Sequence, residues 1–142
     1  RFEVRDPSAL DVRAGFDLVT AFDTIHDQAQ PSLVLRRVAR ALRSDGVFLM
    51  QDVRGTSRLE KDLEIPMAPF LYTVSCFHCM TVSLAEGGAG LGAMWGSETA
   101  CRLLQEAGFG PVEVRILPHD PIHQLYVARR RGGVSRRFPR TS

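Results

Sequence analysis

Cysteine is scarce in this chain: Cys76, Cys79 and Cys101 are the three among 142 residues. So odd and sparse a set does not make a disulfide framework and suits a reducing compartment. No stretch reaches the ~20 consecutive apolar residues that span a bilayer, and no signal-peptide pattern is present. The longest apolar run, FLYTVSCFHCMTVSLA, is broken by Ser, Thr, His and Cys. These absences lead us to expect a cytoplasmic protein without a membrane partner. Net charge is low at +2, which disfavours nucleic acid. Even that charge is concentrated, with six arginines and no acid in residues 129–142. Residues 131–142 therefore read as a basic, disordered tail. There is no internal repeat and no composition break, so one globular domain over residues 1–130 is expected. The first residue is Arg rather than Met, which suggests a processed chain or a fragment.

What is present alternates between two periods. RFEV, FDLVTAF, VFLMQDV, VEVRIL and HQLYVAR read as strands. PSLVLRRVARALRSDG reads as a helix with Pro31 in its first turn, Val34, Leu35, Val38, Ala39 and Leu42 on one face, and Gly46 as its stop. Ser57 and Glu60 have capping-box spacing. Residues 70–84 predict a long, mostly buried helix. SETACRLLQEAG predicts a helix capped by Ser97 and ended by Gly108. Apolar strands alternating with helices imply an α/β layered fold with a mostly parallel sheet. Ligands of such sheets lie beyond the carboxyl ends of the strands. AFDTIHD and MQDVRG lie at two such ends.

Four clusters carry chemistry-bearing residues. In CFHC, Cys76 and Cys79 have C-x-x-C spacing, but no second pair completes a four-ligand zinc site. On a regular helix the two thiols would share one side, so core packing is expected for them and no metal. A thiol redox or zinc protein is the remaining reading of that motif. Gly88, Gly90 and Gly92 form G-x-G-x-G, yet a helix precedes them where nucleotide binding needs a strand; they read as a lid or pocket rim. His119, His123 and Asp120 in PHDPIH read as a polar turn, with metal ligation as the alternative. AFDTIHD is either a capped turn or a proton-transfer site, because His26 among Asp23 and Asp27 can change charge near neutral pH.

FDLVTAFDTIHD, VLRRVARALRSDGVFLMQDV and LLQEAGFGPVEVRIL, in that order, resemble the second half of a class I S-adenosylmethionine-dependent methyltransferase. LYTVSCFHCMTVSLAEGGAGLGAMWG is similar to a bacterial small-molecule branch of that family. The resemblance implies a partial Rossmann-like methyltransferase fold, α/β, with a mostly parallel sheet and an antiparallel C-terminal strand. It implies S-adenosylmethionine as cofactor and a small organic acceptor. By the same resemblance Asp6, Phe22 and Asp23 bind the cofactor and His26 is the general base. Residues 58–96 form a substrate cover lined by Phe70, Tyr72, Phe77, His78 and Trp95. The family's glycine-rich cofactor loop and its first two strands have no counterpart in residues 1–142. A truncated enzyme is therefore expected, or else a non-catalytic remnant serving as an interaction module. FDLVTAF would then be an exposed edge strand through which two copies could pair.

Overall fold

The computed structural model describes residues 2–132; of the expected basic tail, residues 133–142 lie outside the described residues. A four-stranded sheet runs in the order β1-β2-β4-β3. Its strands are β1 (Phe16–Phe22), β2 (Leu42–Val53), β3 (Glu113–Ile116) and β4 (His123–Arg129). β1 pairs parallel with β2, whereas β4 is antiparallel to both β2 and β3. Three strands therefore share one direction and the C-terminal strand opposes them, as the resemblance implied.

Alternation along the strands decides which face is covered. Val19, Phe48, Met50, Tyr126 and Ala128 lie on the core side, where α1 (Pro31–Ala41) and α4 (Gly96–Glu106) supply Leu35, Val38, Leu103 and Leu104. Leu35 and Leu104 are fully buried, each worth about 1.5–3 kcal/mol of transfer free energy. The rings of Phe48 and Phe109 stack at 5.6 Å between centroids. The alternate positions of β1, Phe16, Leu18 and Phe22, remain exposed, and β1 is an edge of the sheet.

RFEV is not a strand. Residues 2–6 are irregular, and Phe2 and Val4 are fully exposed. An extended segment needs a partner for its amide groups, and residues 2–6 take none even though β1 leaves its outer edge open. Asp6 instead caps a 3₁₀ turn (Pro7–Ala9) by accepting from the Ser8 backbone N–H at 2.8 Å.

Helix ends depart from local expectation in an instructive way. α1 stops at Ala41 rather than Gly46. Ser57 does not cap α2 (Leu59–Asp62), whose N-cap is Arg58, and Ser97 does not cap α4. Ser57 caps α4 from a distance: its Oγ accepts the Thr99 N–H at 3.0 Å and donates to the Trp95 carbonyl at 2.8 Å. Gly96 permits this approach, since a Cβ on it would lie 2.0 Å from the Ser57 nitrogen and its φ is +75°.

α3 (Ala68–Ala85) is long and apolar enough to cross a membrane by length and composition. Contrary to the expectation of burial, it exposes Phe70, Val74, Phe77, Val82 and Leu84. It contains a π-helical turn over Ser75–Cys79, the widened kind of turn that often sits at functional sites. The extra residue per turn separates the two thiols that a regular helix would align. Cys79 is buried and Cys76 exposed.

Candidate active site at the carboxyl end of the sheet

β1 delivers Asp23 and the turn after it delivers His26; β2 delivers Asp52. Asp23 prolongs the parallel ladder, its N–H donating to the Gln51 carbonyl at 3.1 Å. It does so at φ +47°, a left-handed conformation rare outside glycine. The chain then turns sharply, drops Ile25 into the core and buries His26 to 3% exposure. His26 Nδ1 lies 2.7 Å from Oδ1 of Asp52, which is wholly buried. That same oxygen accepts the Val53 N–H at 2.8 Å. Asp52 Oδ2 has no hydrogen-bond partner. A buried acceptor on Nδ1 fixes the ring and leaves Nε2 as the working atom. Nε2 stands 3.4 Å from Asp27 Oδ1. That oxygen is buried and accepts no hydrogen bond.

Burial alone would lower the His26 pKa, but the bond from Asp52 and the charges of Asp52, Asp27 and Asp23 outweigh it and raise the value. Burial pushes the Asp23 carboxyl up, with Asp52 and Asp120 adding to the rise against the pull of His123 and His26. Burial, with the contact to Asp27, pushes the Cys79 thiol up to about 11.

A second chain of groups meets the first. Asp23 Oδ2 is 3.2 Å from His123 Nε2, and His123 Nδ1 is 2.9 Å from Asp120 Oδ2. Asp120 also ties its own turn by accepting the N–H groups of Ile122 and His123, both at 3.0 Å. The turn in PHDPIH is thus polar, as expected, but His123 also braces Asp23. Asp23 Oδ1 stays buried and unpartnered.

Of the residues singled out in the sequence, Asp23 and His26 meet here. Phe22 is half-exposed. Asp6 spends its carboxylate on Ser8, on an exposed turn. The five cover residues are not gathered into one lining. Phe70 and Phe77 are exposed and Trp95 is in the main core. His78 is exposed, and the Tyr72 hydroxyl donates to the buried Asp62 at 2.9 Å. A groove of about 700 Å³ is lined by Arg54, Lys61, Glu64 and Gln124, not by His26 or Asp52, although Gln124 is the ladder partner of Asp52. Local reading missed Asp52, whose role depends on strand register; it expected both CFHC thiols in the core, where Cys79 lies, whereas Cys76 is exposed. The only signal for Asp52 was its place at a strand's carboxyl end.

The mixed α/β sheet, with an acid–imidazole cluster beyond its strand ends, has a Rossmann-like fold. A family profile described as a methyltransferase domain matches residues 1–108, and the chain belongs to that family. Similar solved structures include an O-methyltransferase family protein of Burkholderia thailandensis, at 17% identity and TM-score 0.63, covering 94% of this chain and 36% of that one. The 1,6-didemethyltoxoflavin-N1-methyltransferase of the same organism was solved with 1,6-didemethyltoxoflavin and S-adenosylhomocysteine. It matches at 21% identity and TM-score 0.59, covering 92% of this chain and 50% of that one. The trans-methyltransferase CalH, solved with SAH, matches at 21% identity and TM-score 0.58, covering 89% and 34%. At these identities the likeness is one of fold. In three of the matched structures the chain spans 34–42% of their length. No curated protein matches it.

Proposed function

We propose that residues 1–142 are the acceptor-facing part of an S-adenosylmethionine-dependent methyltransferase acting on a small organic molecule. The observation that carries this reading is the His26–Asp52 pair at the carboxyl end of β1 and β2, in a chain of the methyltransferase-domain family. S-adenosylmethionine supplies an electrophilic methyl group to such a site. The residues present fit the cofactor at one point: Asp23 Oδ1, buried without a partner, is an acceptor suited to an ammonium donor. Asp52 holds the Nδ1 proton of His26, so Nε2 is the atom that takes a proton from the acceptor. Its neighbour Asp27, 3.4 Å away, has a side chain that is 33% exposed. Methyltransferases matched by fold have been solved with SAH or with a small heteroaromatic substrate, which supports both the cofactor and the acceptor class.

The exposed apolar residues of β1, Phe16, Leu18 and Phe22, support a larger domain of which these strands are one part. The same edge is where two copies would pair. Calorimetric titration of S-adenosylmethionine into residues 1–142 tests the reading. Binding is expected, but weaker than about micromolar, because the family's glycine-rich loop is outside these residues. Each tenfold loss is about 1.4 kcal/mol. Micromolar binding would contradict the placing of the main cofactor contacts elsewhere.

A further inference from the structure

The buried cluster that carries His26 also has the composition of a metal centre. We propose that His26, Asp27 and Cys79 form a three-ligand site for a divalent transition-metal ion of the zinc type. The two motifs that supply them, IHD and CFHC, lie about fifty residues apart in sequence. The π turn at Ser75–Cys79 brings them together by rotating Cys79 inward. One ligand atom from each residue lies within 4.8 Å of the other two, a spread that a tetrahedral ion with bonds of about 2.0–2.3 Å can close with small side-chain movements.

Three features separate this cluster from a chance grouping. First, Asp52 already occupies His26 Nδ1 at 2.7 Å. It supplies the buried carboxylate that orients a metal-ligating imidazole and assigns Nε2 to the ion. Second, Asp27 Oδ1 is a buried acceptor without a hydrogen-bond partner, 3.4 Å from that Nε2. Third, the ligand set of thiolate, carboxylate and neutral imidazole carries two negative charges, matching a divalent ion, and the Asp52 carboxylate is held by the Nδ1–H and Val53 N–H donors. Cys79 and His26 are 4% and 3% exposed, so that match falls where unpaired charge is costly. Three protein ligands leave the fourth position of a tetrahedral zinc ion for water, and the Asp27 side chain is 33% exposed. Binding expels the thiol proton of Cys79 and any proton on Nε2 to solvent. Metal occupancy and proton acceptance at Nε2 therefore exclude each other, so the ion would silence the proposed base.

The test uses the chain with Cys76→Ser, which removes the exposed thiol, and cobalt(II) as a spectroscopic probe. We expect the visible bands of a tetrahedral cobalt ion together with a near-ultraviolet thiolate-to-cobalt charge-transfer band, both bleached by zinc(II). Adding Cys79→Ser should abolish the thiolate band. Asp52→Asn should weaken affinity about 10–100-fold with the band position kept. As a check that needs no variant, equilibrium dialysis of the unaltered chain against zinc(II) should retain one ion per chain. Absence of the thiolate band, its survival in Cys79→Ser, or no zinc(II) retained by the unaltered chain would each overturn the site. None of these readouts requires methyl transfer, so failure here is distinguishable from failure of the proposed function.

Discussion

In a methyl-transfer-competent chain carrying residues 1–142, His26→Ala lowers the single-turnover rate about 10²–10⁴-fold, the usual contribution of a positioned base. Cofactor affinity changes far less. The separation follows from position. His26 lies in the turn beyond β1 with Nε2 facing Asp27. Asp23, with its free oxygen Oδ1, is the group placed to hold the cofactor. Asp23→Ala should therefore weaken cofactor binding with a smaller effect on the chemical step. If His26 only shapes the turn, its removal costs thermal stability while the folded fraction turns over at the original rate. An unchanged rate, normalised to folded enzyme, would assign His26 to architecture.

Asp52→Ala is expected to destabilise residues 1–142 by about 2–6 kcal/mol, from two buried donors left without an acceptor at about 1–3 kcal/mol each. The substitution strands two donors at once, His26 Nδ1–H and the Val53 N–H. Neither can reach water, because Asp52 is wholly buried and His26 nearly so. At roughly 2–4 °C per kcal/mol for a chain of about this size, the melting temperature should fall by roughly 10 °C. Asp52→Asn keeps an acceptor oxygen and should cost less. Combined with His26→Ala, Asp52→Ala should cost less than the two single losses added, by about 0.5–3 kcal/mol, since the residues share one bond. Additive losses in denaturant melts would mean that the 2.7 Å contact contributes nothing.

Apolar character over a strand's length is local information, and it sufficed for FDLVTAF, VFLMQDV and HQLYVAR, which became β1, β2 and β4. Such local reading failed for RFEV because a strand also needs a neighbour, and residues 2–6 pair with none although β1 leaves an edge of the sheet open. Helix starts failed for a related reason. Ser57 has the chemistry of a cap, but its hydroxyl is used by a helix that begins 39 residues later. His26 and Asp23 could be picked out as strand-end residues. Asp52 could not be paired with His26 in advance, because the pair exists only through the β1–β2 register, in which Phe22 faces Gln51. Cys79 needed still more, since only the π turn distinguishes it from Cys76.

The central claim is that the carboxyl end of β1 and β2 faces the cofactor. Residue-resolved ¹H–¹⁵N spectra of residues 1–142, recorded while S-adenosylhomocysteine is added, test it most directly and tolerate weak binding. The account predicts saturable shifts clustered at Phe22, Asp23, His26 and Val53, diminished in Asp23→Ala. Shifts confined to the groove around Lys61 and Glu64, or none up to the solubility of the ligand, would contradict it.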